Sequence, residues 1–171
     1  MATHPYLALR TTELALHHWV NGEATPGESS AQNLAVTSPW TGLPMAKVPF
    51  ASRQLTIQAI EAAKRAQKDW GETPAKERAR ILFNFRDELR KDWDKIVATK
   101  SFESGKIIAE AEAGLAKGAE ILEFALAIQN LDLNGKLEVS RGVFCEYRRV
   151  PLGVVAGITP FNFPAMVPMW M

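Results

Sequence analysis

The sequence predicts an α/β fold whose parallel sheet is begun rather than finished. Three observations predict it. Apolar residues recur at helical spacing through most of 53–130. From Gly142 the period shortens to two, in "VFCEYRRVP". Then "LGVVAGI", residues 152–158, runs as an unbroken apolar stretch, the pattern of a strand buried on both faces of a parallel sheet. A parallel strand needs a neighbour reached by a long crossover, and none follows.

Taken in order, residues 1–16 read as a flexible arm. Residues 17–141 read as a helical part carrying a small β hairpin. In "HHWVNGEATPGES" the pairs Asn21-Gly22 and Pro26-Gly27 are turn signals, flanked by short strands. "NLAVTSPWTGLPMAKVPFAS" adds two alternating stretches around Pro39 and Gly42. Ser52 is a fitting N-cap for a helix over 53–70, with Leu55, Ile57, Ala59, Ile60, Ala63, Ala66 and Trp70 mostly on one face, and Gly71 ends it. Thr73-Pro74 reads as a second start, a hydroxyl cap before a proline at the first helical position. Ile81, Leu82, Phe85 and Leu89 form that helix's stripe. Trp93, Ile96, Val97 and Phe102 mark a third helix, and Gly105 a stop. A long helix over 107–130 follows, its stripe Ile108, Ala111, Leu115, Gly118, Leu122 and Ala125, with small residues Ala111, Gly114, Gly118 and Ala119 that admit a close neighbour. Asn134-Gly135 reads as a turn. Residues 142–150 form a half-exposed strand. Residues 151–171 read as the first strand of a larger sheet and the start of a helix.

Composition narrows the function classes. The chain has 171 residues, 20 basic against 19 acidic, and a formal net charge of +1, so no nucleic-acid or anionic-membrane partner is indicated. No apolar run approaches the ~20 residues of a membrane span. The N-terminus lacks a basic segment leading into an apolar one, so no secretory signal is read and the cytoplasm is the expected location. A single cysteine, Cys145, excludes an internal disulfide.

Few residues carry chemistry on pattern alone. His4, His17 and His18 have no cysteine companions, and no metal site is expected. Glu110 and Glu112 are two apart on a helix and face different ways, as surface charges do. Cys145 lies mid-strand without a nearby histidine or helix N-terminus to lower its pKa, so it is not read as a nucleophile. The turn Pro160-Phe161-Asn162-Phe163-Pro164 stands apart. It follows the apolar run at its carboxyl end, where open α/β sheets bind ligands. From spacing alone Asn162 can cap the helix that starts near Pro164, or offer N–H donors that do not titrate.

"VPLGVVAGITPFNFPAMVPMWM" resembles the start of the cofactor domain in the aldehyde dehydrogenase family, which carries a Pro-(Trp/Phe)-Asn-Phe-Pro turn after a Pro-x-Gly-Val strand. Phenylalanine before the asparagine and "PAMVPMW" after it are similar to the CoA-acylating methylmalonate-semialdehyde dehydrogenases. "WVNGE" resembles the family's opening hairpin, "SPWTG" its Asn-Pro-Ala-Thr-Gly segment, and "AIEAAKRAQKDW" its first helix. "ESGKIIAEAEAGLAKGAEILEFA" is similar to a helix pair built on Glu-x-Gly-Lys. Together these span roughly residues 18–171. "SPWTG" departs from the commoner spelling.

The resemblance implies the N-terminal third of an NAD-dependent dehydrogenase that converts malonate or methylmalonate semialdehyde, CoA and NAD to acyl-CoA, NADH and CO2. It implies that Asn162 donates to the oxyanion formed when a thiolate attacks the aldehyde, a contribution of about 3–4 kcal/mol for such donors. Ile158, Thr159, Pro160 and Phe161 are implied to meet the nicotinamide-ribose part of NAD. Tyr147 and the strand 142–150 are implied to join a neighbouring subunit's sheet in a dimer or tetramer. The nucleophilic cysteine, the ribose-holding lysine and glutamate and the glycine-rich turn are all expected beyond residue 171, so this chain alone is not expected to be active. The alternatives are a non-acylating aldehyde dehydrogenase, or a non-catalytic assembly module that adds its strand to other subunits.

Overall fold

In the computed structural model, residues 14–28, 32–131 and 134–171 are described. The expected arm falls largely outside them. Its last part does not: β1 (Leu14–Ala15) pairs in parallel with β5 (Pro44–Pro49). The β5 strand also pairs antiparallel with β4 (Asn33–Thr37), giving a three-stranded sheet in the order β1-β5-β4. The loop between β4 and β5 is "SPWTG", closed by Ser38 N–H to Leu43 O and Gly42 N–H to Ser38 O, both 2.8 Å. The predicted hairpin is present as β2 (His18–Val20) and β3 (Glu23–Thr25). Asn21 and Gly22 take positive φ of 55° and 80°, the geometry a two-residue hairpin turn requires.

Four helices follow as the periodicity indicates. α1 (Arg53–Glu72) begins at Ser52, whose hydroxyl accepts from Leu55 N–H at 3.1 Å. It runs one residue past Gly71. The Thr73 hydroxyl donates backward to Asp69 O at 2.8 Å, so Thr73 closes α1 instead of capping α2 (Ala75–Lys91). Of the stripe expected on α2, Leu89 is buried and Ile81 and Phe85 are about half exposed. α3 (Trp93–Ser104) stops at Gly105, held at φ 73°. α4 (Ile108–Leu126) passes into a 3-10 turn at Ala127–Asn130. The main core joins Leu89, Val97, Ala111, Leu115 and Ala165, with Trp93, Ile96, Ile108 and Met169 packed around it. α5 (Met166–Trp170) closes over α4 where Gly118 leaves room: a Cβ there would lie 3.3 Å from Met169 Cγ and 3.4 Å from Ala165 O.

Two expectations about strands are also corrected. Asn134-Gly135 is not a turn; it opens β6 (Asn134–Ser140), which pairs antiparallel with β7 (Val143–Arg148) through a turn at Gly142. Gly135 is required for a different reason, since a Cβ would overlap the Tyr147 ring lying across it. "LGVVAGI" forms no strand and is exposed throughout 151–160. Its apolar pattern suits a sheet interior, but none of the described strands lies beside it to hydrogen-bond with. Pro151 approaches Gly71 and Gly157 lies against Met171 Sδ, which are its visible anchors.

Candidate functional site

The Pro160–Pro164 turn is anchored on one side only. Downstream, Ala165 is buried in the core, Val167 N–H donates to Phe163 O and Met169 N–H to Ala165 O, both at 3.3 Å. Upstream, Ile158 is 95% exposed and Phe161 92%. Thr159, Pro160 and Asn162 are exposed as well. The structure does not bring Ile158, Thr159, Pro160 and Phe161 together around a pocket. They form an uncovered strip leading into the turn.

Asn162 does not cap the following helix. α5 starts at Met166 with Ala165 as its N-cap and no side-chain capping bond. The capping role that spacing allowed is therefore not taken. What engages Asn162 is a lysine. Lys106 Nζ donates to the Asn162 main-chain carbonyl at 2.6 Å and stands 5.0 Å from the centre of the Phe163 ring.

An open cleft of about 360 Å³ lies beside this contact, lined by Lys100, Lys106, Glu110, Lys117, Phe163 and Met166 among others. Three cations against one carboxylate give it a positive balance. Lys100 is 6% exposed and donates to Ala111 O at 2.6 Å. Burial holds its ammonium below the ordinary lysine value, and the nearby charge of Lys106 pushes the same way. Gly114 gives this side chain its room: a Cβ there would sit 2.7 Å from Lys100 Nζ.

Neither Lys100 nor Lys106 stands out as a functional residue in the sequence. Lys100 looks like one more surface lysine, and Lys106 carries only the Glu-x-Gly-Lys spelling. The signal for Lys106 was its place directly after a helix-stopping glycine; its partner lies 56 residues away. Cys145 is exposed on β7. No described helix is long and apolar enough to cross a membrane.

The sequence profile of the aldehyde dehydrogenase family matches residues 25–171. Malonate-semialdehyde dehydrogenase 2 of Geobacillus thermodenitrificans is 38% identical over 162 residues, which are 94% of this chain and 33% of that protein. The malonate-semialdehyde dehydrogenase of Bacillus pumilus is 37% identical over 163 residues, 95% of this chain and 33% of that one. Among solved structures, a protein of Sinorhizobium meliloti 1021 assigned as a methylmalonate-semialdehyde dehydrogenase, in complex with NAD, gives a TM-score of 0.88 at 34% identity, covering 95% of this chain and 33% of that chain. Methylmalonate-semialdehyde dehydrogenase from Oceanimonas doudoroffii gives 0.86 at 37% identity, covering 92% and 32%. The chain spans about a third of the length of the curated relatives it matches.

Proposed function

The chain belongs to the aldehyde dehydrogenase family, and on that premise we propose that it forms the N-terminal part of an NAD-dependent, CoA-acylating dehydrogenase of malonate or methylmalonate semialdehyde. The observation that carries the substrate class is the 38% identity to a malonate-semialdehyde dehydrogenase across 94% of the chain.

In this reading Asn162 supplies a neutral donor to the oxygen that gains charge as a thiolate, contributed by the rest of the complete enzyme, adds to the aldehyde carbon. A donor already aimed at that position needs no reorganisation during the reaction. Bound NAD would supply the hydride acceptor. The strip of Ile158, Thr159, Pro160 and Phe161 fits one edge of such a group: Ile158 and Phe161 are uncovered, so a planar ring can lie against them, and Thr159 offers a hydroxyl. The β6–β7 ribbon, exposed on both faces, would pair with a neighbouring subunit in a homo-oligomer.

Steady-state NADH formation by the complete enzyme tests the proposal. Turnover of malonate or methylmalonate semialdehyde is expected to depend on CoA. Efficient turnover without CoA would move the protein to the non-acylating dehydrogenases.

A further inference from the structure

We propose that Lys106 is a positioning residue for Asn162: its ammonium fixes the Asn162–Phe163 peptide and thereby aims the Asn162 side chain. The inference rests on the function proposed above for Asn162, but its structural half stands without it.

Four observations carry it. First, Lys106 reaches the turn where its anchoring changes. From Phe163 onward the chain is tied to α4 through Ala165 and α5, whereas Ile158 and Phe161 before it are almost fully exposed. Asn162 sits at that junction, and its carbonyl takes the 2.6 Å bond. Second, the same cation stands 5.0 Å from the Phe163 ring, so two consecutive residues are held by one charge. Third, Lys106 is itself held. The buried Ser101 hydroxyl donates to Lys106 O at 2.7 Å. Gly105 before it is fixed at φ 73° with its N–H on Ser101 O at 3.0 Å. Fourth, Gly105 is backed by the β4–β5 loop, since a Cβ there would lie 2.9 Å from Pro39 Cγ. The lysine is thus an arm on a rigid mount rather than a mobile surface cation.

Fixing that carbonyl fixes the Asn162 Cα and the axis of its Cα–C bond, which restricts the direction of the Cα–Cβ bond to a cone about that axis. An amide that must meet an oxyanion at hydrogen-bond distance depends on that direction. Misplacement by about 1 Å can cost roughly 100-fold in rate. A hydrogen bond from an ammonium is also stronger than one between neutral groups, which suits it to hold an exposed turn.

The test has two arms. In the 171-residue chain labelled with 15N-asparagine, at one low concentration at which wild type and variants sediment alike, the side-chain amide resonances of Asn162, assigned by their loss in Asn162→Ala, are compared in wild type, Lys106→Met and Lys106→Arg. The Asn162 signals are expected to shift and broaden in Lys106→Met and to return toward wild type in Lys106→Arg, with the other asparagine amides unmoved. Unchanged Asn162 signals in Lys106→Met would overturn the inference whatever the protein's activity. In the complete enzyme, Lys106→Met is expected to lower kcat about 10- to 100-fold with little change in KM, and Lys106→Arg to recover most of it. A wild-type enzyme without aldehyde-dependent NADH formation would count against the functional reading. Unaltered kcat in Lys106→Met of an active enzyme would count against Lys106 alone.

Discussion

Lys100 shows how one residue can make stability depend on pH. Its ammonium is buried against Ala111 O, and its pKa lies below the ordinary lysine value, first through burial and then through Lys106. Below that lowered pKa the group is charged in both folded and unfolded chains, and the folded state carries the full burial penalty. Between the lowered pKa and the ordinary value of about 10.4, the unfolded chain binds more protons. Stability contributed by this group therefore rises with pH in that window. Denaturant titrations of wild type and Lys100→Met from neutral pH to about 10.4 check this: the difference between them is expected to move in favour of wild type as pH rises. Parallel curves would show that Lys100 is not desolvated. None of this was legible in the sequence, because a lysine's burial depends on what packs over it, here α4 and the space at Gly114. The residues that were legible act locally. Ser52 caps three residues ahead, and Gly105 stops its own helix, so each announces itself within a few positions. The turn spelling singled out Asn162 as a candidate; the lysine that binds its carbonyl, far off in sequence, had no such local mark.

At the level of elements, the contact between α4 and α5 places the turn. Gly118 lets Ala165 and Met169 come close, and the small residues read on that helix indicated a near neighbour. A methyl at 118 meets its neighbours at 3.3–3.4 Å, tight enough to offset the usual gain of replacing a helical glycine. A branched side chain cannot fit. Gly118→Ala is expected to leave the melting temperature nearly unchanged. Gly118→Val is expected to cost about 1–3 kcal/mol and lower it by several degrees in a circular-dichroism melt. Equal melting temperatures for wild type and Gly118→Val would mean that α5 does not rest on α4. Helices were predicted well because their apolar spacing repeats over many residues. Two strand features were misread for opposite reasons. Asn134-Gly135 has a turn's spelling, but the Tyr147 ring across the strand demands glycine there. "LGVVAGI" has a buried strand's spelling, but strand structure depends on hydrogen-bonded neighbours that no described segment provides.

Across the whole molecule, apolar surface is distributed unevenly. Leu137, Val139, Val143, Phe144 and Tyr147 are exposed on the β6–β7 ribbon, and Val150, Leu152, Val155, Ile158 and Phe161 continue the exposure toward the turn. An apolar ribbon with open edges is a template for association. Sedimentation velocity of the 171-residue chain is expected to show self-association that grows with concentration; a single monomeric species across a tenfold or so range would contradict it. On the function proposed above, the same surfaces would face a second subunit and the rest of the cofactor sheet.

The most direct measurement is kcat for the complete enzyme and its Asn162→Ala variant, with malonate semialdehyde and saturating NAD and CoA. A fall of about 100- to 1,000-fold, with binding of NAD retained, is the result expected if the Asn162 amide stabilises the oxyanion. A variant that keeps wild-type kcat would contradict the account at its centre, leaving the turn as a structural link between the exposed segment and α5.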